Sequence, residues 1–458
     1  MESAALFYRA KIDGFSAATI LQNIPKLTGE HQVYHKEIGD MAMQLEPKIA
    51  RIILDVITPH SDEYKNNFQT YVKLDESNIT EYLCSIDNTV TPNTQITEIG
   101  DGNLNQVFRI AQNSGSRIIK QALPYLRCVG ESYALDKIRM KYEIAYLKIV
   151  SDLCGRHVPK LYYADDTKMM LIYMQDLNNH QIMRDGLING FKYPNFSRHI
   201  AEFLATILFK TSRNYLNLLE HSTLIKTFND NKLRCLTEDL FFTFAFIDHD
   251  ANYKNSPHLF SFKFRSNVKV LLDLFATNAE ALLHGDLHTG SIFVNNTETY
   301  IIDGEFAFMG PSGFDLGLLL ANLITAYIHH KICNLKIKSN SMQLWLIRTI
   351  EEVYENFNNM FKLLSIKYRE KNKLLSTAEL DKHQDEYLNN VLKTSIGFAG
   401  IEMCRRACGL AGVREIRNIP EPELKEQAEN LVLSLGIFMV ENYQEFTNIT
   451  DLTLKLRS

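Results

Sequence analysis

A chain of 458 residues, 45% hydrophobic and 22% charged, has the composition of a folded protein and the length for two or three lobes rather than one core. Its formal net charge of −5 argues against nucleic acid or an anionic membrane as the main partner, so an anionic small ligand would need a local cluster of Lys, Arg and backbone N–H groups. Seven scattered cysteines, no stretch long enough to span a bilayer and no evident signal peptide point to a reduced, cytoplasmic protein.

Residues 1–60 stand apart, with a helix-like run at 40–57. The polar segment 61–93 predicts a linker, a short amphipathic helix over 76–85 with Ser77 as N-cap, and a turn at Pro92-Asn93. The pattern then becomes strand-like, over 95–100, 105–111 and 116–121, with Gly, Asn, Asp and Ser turns between. A helix over 133–151 follows, then strands over 159–164 and 169–174. Beyond them helices are expected over 194–212, 231–240, 263–283, 313–332, 340–365, 379–409 and 421–446. One stretch interrupts that run: 284-HGDLHTGSIFVNNTETYIIDGEFAF-308, read as loop, strand, tight turn, strand. The fold class is therefore α+β, with a small β-rich lobe over 94–177 and a large helical lobe over 178–458 that carries one hairpin.

The chemistry concentrates at two places. In 98-EIGDGNLNQVF-108, Gly100 and Gly102 allow a strand–turn–strand to approach a phosphate and point N–H groups at it. Lys120 lies in the next apolar strand, and Glu143 sits mid-helix where it could pair with Lys120. In the hairpin, Asp286 precedes Asp303 and Glu305, and the two strands can bring these acids together. Converging carboxylates repel unless a cation or a reacting proton lies between them. A glycine turn, strand lysine, helix glutamate and two spaced aspartates follow the order of a phosphoryl-transfer site, in which the first aspartate accepts the acceptor's proton and the second holds magnesium. His284 is expected to orient the loop and His288 to lie near the substrate. Arg405 and Arg406, adjacent in an apolar helix segment, require acidic or phosphate partners.

These residues resemble the 5-methylthioribose kinase family, whose fold is protein-kinase-like, in two lobes (aminoglycoside phosphotransferase-like). The resemblance runs over about 70–450 and rests on EIGDGNLN (98–105), IIKQALPY (118–125), VGES (129–132), HGDLHTGSI (284–292), DGEFAFMGPSGFDLG (303–317) and GFAGIEMCRR (397–406). It implies ATP contacts by Asn105 and Lys120, and a hinge at Gln175, Asp176 and Leu177 that reads adenine through backbone groups. It implies Asp286 as catalytic base and substrate contact, and Asp303, Gly304 and Glu305 as the magnesium and phosphate segment. Arg405 and Arg406 become a substrate and transition-state pair. The implied reaction moves the γ-phosphoryl of ATP to the 1-hydroxyl of 5-methylthioribose in methionine salvage, and the family suggests a homodimer. Three positions depart: the family usually has Pro where this chain has Gly304 and often Trp where it has Tyr133, and the wider superfamily often has Asn where it has Ser291. The alternatives are a kinase of the same fold for choline, homoserine or an aminoglycoside, and a pseudokinase that binds nucleotide as an interaction module.

The N-terminal stretch 1-MESAALFYRAKIDGFSAATIL-21, with 27-LTGE-30 and the run at 40–57, resembles the C-terminal end of a bacterial-type purine nucleoside phosphorylase. That resemblance implies helices over 4–13 and 40–57, a strand over 16–22, and a ribose-facing role for Met1 and Glu2 in a relic or truncated fusion partner.

Overall fold

A computed structural model of the chain describes residues 70–457 apart from 100–103, 113–114, 127–129, 229–231, 244–245, 247–260, 334–339, 372–374 and 409–411. The chain divides into two units at Ser61/Asp62, and every described residue belongs to the second. The expectations for 1–60, with Met1 and Glu2, and those for Gly100 and Gly102 lie outside the described residues.

The second unit opens with helix α1 (Ile79–Ile86), followed by β1 (Ile96–Glu98), β2 (Asn105–Gln112) and β3 (Gly115–Ala122). Next come β4 (Tyr125–Leu126), β5 (Gly130–Ala134), helix α2 (Arg139–Cys154), β6 (Leu161–Asp165) and β7 (Leu171–Gln175). Five of these strands form an antiparallel sheet in the order β1-β2-β3-β7-β6. Strand alternation sends successive side chains to opposite faces. Phe108, Ile110, Ile119, Leu171 and Tyr173 therefore pack with Tyr82 and Leu83 of α1, whereas Ala122 and Ile172 pack with Met140 and Ile144 of α2. Lys120, opposite Val107 on one side and Ile172 on the other, falls on the α2 face and is buried.

After β7 come β8 (Gln181–Ile182), α3 (Met183–Ile188), α4 (Phe196–Lys210), α5 (Leu218–Phe228) and α6 (Lys232–Thr237), the last running into a π-helical turn at Glu238–Thr243. Then follow α7 (Phe262–Thr277), β9 (Ala281–Leu283), β10 (Ile292–Val294), β11 (Thr299–Ile301) and β12 (Phe308–Gly310). The chain finishes with α8 (Gly313–Cys333), α9 (Ser341–Lys367), α10 (Thr377–Cys408), α11 (Arg414–Arg417), α12 (Pro422–Asn442) and α13 (Ile449–Arg457). By length and composition α8 could cross a membrane, but 83% of its most apolar stretch is buried within the protein, as befits a core helix.

Several expectations need correction. Ser77 is not the cap of α1: its N–H and hydroxyl both donate to Asp75 Oδ1, and Asn78 occupies the cap position. The helix expected from 133 starts only at Arg139, because Gly130–Ala134 pairs with Tyr125–Leu126 as a hairpin and Asp136 accepts the Ile138 N–H in a turn. The helix expected to 283 stops at Thr277, since Ala281–Leu283 pairs with Phe308–Gly310. Ala, Glu and Leu at 279–283 are good helix formers, and sheet pairing overrides that preference. The helix expected to 446 ends at Asn442 and passes into a 3-10 turn.

Candidate active site

The hairpin β10–β11 sets the geometry. Ile292 pairs with Ile301, and the turn between the strands is closed by Asn295 Oδ1, which accepts the Thr297 and Glu298 N–H groups. Both acidic ends of the stretch thereby emerge on one side, where the Ile302 N–H donates to Ser291 O at 3.0 Å. A cavity of about 340 Å³ opens there, lined among others by Lys120, Glu143, Gln175, Asp286, Asp303 and Glu305.

On the sheet side, Lys120 Nζ lies 2.7 Å from Glu143 Oε1 and also contacts Asp303. Burial alone would depress the Lys120 ammonium, but the Asp303, Glu143 and Glu305 carboxylates together raise it above the ordinary lysine value. Burial pushes Glu143 up to about 7 against the pull of Lys120, with Asp303 and Glu305 adding to the rise. Glu305 is raised for the same reasons, while Asp303 is held low by Lys120 despite the desolvation around it. Two cations, Lys120 and Arg139, cannot balance three carboxylates. Asp303 itself adopts a left-handed backbone (φ 71°, ψ 45°), a conformation that a short polar side chain tolerates, and 46% of its side-chain surface opens onto the cleft.

Glu305 is buried and accepts at Oε2 from Arg139 Nε (3.1 Å) and Asn105 Nδ2 (3.2 Å). Gly304 packs under Tyr146: a Cβ there would stand 2.3 Å from Tyr146 Cδ1. A tyrosine ring thus fills the space beside Gly304. Glu143 Oε2 is buried with no hydrogen-bond partner. A cluster rich in carboxylate oxygen, with an unpaired oxygen and a carboxylate open to the cleft, fits a hard divalent cation. Asp303 and Glu305 are the residues that could hold it.

The loop bearing Asp286 is fixed by α8. Asp315 accepts the His284 N–H (2.6 Å) and the Gly285 N–H (3.0 Å), and burial raises its pKa. Gly285 is obligatory: its φ is +83°, and a Cβ would fall 2.2 Å from Phe306 O. His284 Nε2 lies 2.7 Å from Ile302 O, and its Nδ1 accepts the Asp286 N–H at 3.3 Å. His288 stands with Nε2 3.5 Å from Asp286 Oδ2 and Nδ1 3.1 Å from Ser291 Oγ. Burial lowers the His288 pKa to about 4, opposed by Asp286 and reinforced by Arg184 and Arg406.

Arg405 and Arg406 both fasten onto Glu402 of their own helix, Arg406 Nε at 2.8 Å from Oε1. Burial would raise Glu402, but the two guanidinium groups hold it down to about 2. Neither arginine lines the cavity, although both feel the charge of Asp286. Arg184, which the sequence reading passed over, joins them: its Nε meets Glu415 at 3.1 Å and its Nη2 meets Asn322 at 2.9 Å. At the hinge, the Asp176 carboxylate is taken by Arg109 Nε (2.7 Å) and Ser116 Oγ (2.5 Å). Gln175 Oε1 accepts the Lys160 N–H at 3.2 Å, and Leu177 is buried.

The reading also missed Arg139, Asp315, Glu402 and Glu415. Arg139 and Glu143, like Glu402 and Arg406, share an i, i+4 helical face, which was the available signal. A second group with metal-ligand character, Cys154, His157 and Glu202, has its ligand atoms within 4.8 Å of one another. There Arg156 donates to His157 Nε2 at 3.2 Å and pairs with Glu202, so a guanidinium already serves as the cation.

Residues 95–328 match the family described as APH, phosphotransferase enzyme family. The chain is 34% identical over 384 residues to methylthioribose kinase 1 of Oryza sativa subsp. japonica, covering 79% of this chain and 88% of that protein. It is 36% identical to the methylthioribose kinase of Bacillus velezensis (77% and 88% covered) and 38% identical to that of Geobacillus sp. strain WCH70 (74% and 84% covered). The chain belongs to the methylthioribose kinase family. Its fold is the phosphotransferase, protein-kinase-like one expected from the order of elements: an N-terminal antiparallel sheet, then a largely helical region. Segments 118–125, 284–292 and 303–317 supply Lys120, Asp286, Asp303 and Glu305 to a single cavity.

Proposed function

We propose that the protein transfers the γ-phosphoryl group of ATP to the 1-hydroxyl of 5-methylthioribose. The observation that carries this is the meeting of Lys120, Glu143, Asp303 and Glu305 with Asp286 in one cleft of a methylthioribose kinase-family chain. In this reading Gln175, Asp176 and Leu177 edge the adenine pocket through backbone groups, and Asn105 borders the phosphates. Lys120, steadied by Glu143, binds phosphate oxygens. Magnesium held by Asp303 and Glu305 would supply neutralisation of the phosphate charge.

Asp286 orients the acceptor hydroxyl and takes its proton. That oxygen forms the new bond to the γ-phosphorus while the bond to the β–γ bridging oxygen breaks and leaves its electron pair on ADP. His288, neutral at pH 7, hydrogen-bonds the sugar without adding charge beside the base. Arg405 and Arg406 place positive potential near the transferring group. With a loose transition state, positioning and electrostatics contribute most of the rate.

The test is to incubate the purified full chain with ATP, magnesium and, in separate reactions, methylthioribose, choline, homoserine and an aminoglycoside. Phosphorus NMR should show a sugar 1-phosphate from methylthioribose alone. Turnover of another alcohol in preference to methylthioribose, or of none, would overturn the assignment.

A further inference from the structure

Arg139 is the largest fully buried side chain of the described residues, with 1% of its surface exposed. A buried guanidinium is costly unless its donors are satisfied, and the partners of this one are informative. Nη1 donates to Leu123 O (2.9 Å) and Asp136 O (3.0 Å). Nη2 donates to Leu104 O (2.5 Å) and Asn105 Oδ1 (3.2 Å). Nε donates to Glu305 Oε2 (3.1 Å), the same oxygen that Asn105 Nδ2 reaches at 3.2 Å. Three side chains, Arg139, Asn105 and Glu305, thus close a ring of mutual hydrogen bonds. Asn105 begins β2 and Leu104 immediately precedes it, Arg139 opens α2, and Glu305 comes from the far side of the cleft.

We propose that Arg139 is a positioning residue that couples the strand leaving the glycine turn to Glu305, so that a divalent cation arriving with nucleotide meets the Glu305 carboxylate in one fixed orientation. The proposal rests on the reading of Asp303 and Glu305 as the residues that face magnesium–nucleotide. The planar fork is what the role needs: three backbone carbonyls hold two of its nitrogens, which aims the third at Glu305. A lysine would carry the charge but could not meet Leu104 O, Asn105 and Glu305 at once. Residues that orient a metal ligand in this way change metal affinity by about 10- to 100-fold when lost.

The experiment measures calorimetric binding of a non-hydrolysable ATP analogue to the full chain across a magnesium titration, for wild type, Arg139→Lys and Arg139→Gln. Each variant should need about tenfold more magnesium for half-maximal binding, while magnesium-free nucleotide affinity and the KM for the acceptor stay near wild type. If thermal melting points fall but the magnesium midpoint does not move in either variant, Arg139 is only a structural ion pair and the proposal is overturned. Nucleotide binding by wild type that is indifferent to magnesium would overturn both the proposal and the metal reading beneath it. Should Arg139→Lys fail to fold, the midpoint of Arg139→Gln decides.

Discussion

The two halves of the proposed site, one for nucleotide and one for acceptor, are built from opposite electrostatic plans. On the nucleotide side, Glu143, Asp303 and Glu305 face two cations, Lys120 and Arg139, and the acids come from elements on both sides of the cavity. On the acceptor side, Arg184, Arg405 and Arg406 face Glu402, Glu415 and Asp286, with every arginine already anchored by a glutamate. The first cluster is short of positive charge, and Glu143 and Glu305 are raised as a consequence. The second is balanced, and Glu402 is lowered. An acid-rich cluster invites a divalent cation; a balanced one suits a neutral polyol.

The largest effect should come from the residue between the two halves. Asp286→Asn should lower turnover by about 10² to 10⁴-fold, the usual consequence of losing a general base, with magnesium–nucleotide affinity near wild type by calorimetry. An equal loss of nucleotide affinity would move Asp286 to the other half. Breaking the balance on the acceptor side is next: Glu402→Gln leaves two buried guanidinium groups without their carboxylate and should destabilise the fold by roughly 3–5 kcal/mol, seen as a shifted denaturant midpoint. Glu402 also sets an acid limb. Its folded pKa of about 2 lies below its ordinary 4.5, so its contribution is complete above about pH 4.5 and is lost as pH falls toward 2. The variant should flatten that limb, and an unchanged pH profile would refute the assignment.

Removing one acid from the crowded side should have a smaller and more selective effect. Asp303→Ala is expected to weaken magnesium-dependent nucleotide binding by about 10- to 100-fold while relieving the crowding around Glu143. Equal affinities in calorimetry would count against metal binding there. The smallest effect lies outside the cleft. His157, buried and neutral between Thr299 and Arg156, has its pKa lowered by burial from 6.5 to about 4. The unfolded chain then binds more protons than the folded one between those values, so stability should decline as pH falls from about 6.5 to about 4. His157→Gln should remove that decline, as followed by thermal melts across the window.

Much of this was readable from residue order, because local signals coincided with the chemistry. Lys120, Glu143, Asp286 and Asp303 are each set on an element whose period or turn residues declare it, and the hairpin at 292–301 was evident as strand, tight turn, strand. Strand alternation alone places Lys120 on the face opposite Ile119. What stayed hidden were groups whose role is defined by a distant partner. Arg139 reads as one more exposed-type residue within the helix expected over 133–151 until Glu305 reaches it across the cleft. Arg184 lies in a helix of six residues, too short to show a period, and takes its meaning from Glu415. Ala281–Leu283 has the composition of a helix and becomes a strand because Phe308–Gly310 pairs with it.

By itself, then, the sequence determined the fold class, the succession of a β-rich lobe and a helical one, and the identity of the acids and the lysine that converge, because these depend on local backbone preference and on spacing within single elements. Only the tertiary structure decided which charges share a partner: Glu305 with Arg139 and Asn105, Glu402 with Arg405 and Arg406, Asp315 with the loop N–H groups of His284 and Gly285. The physical reason is that a charge buried in a protein is tolerated only with a partner within hydrogen-bond reach, and such reach between residues up to 200 positions apart is set by how the elements pack.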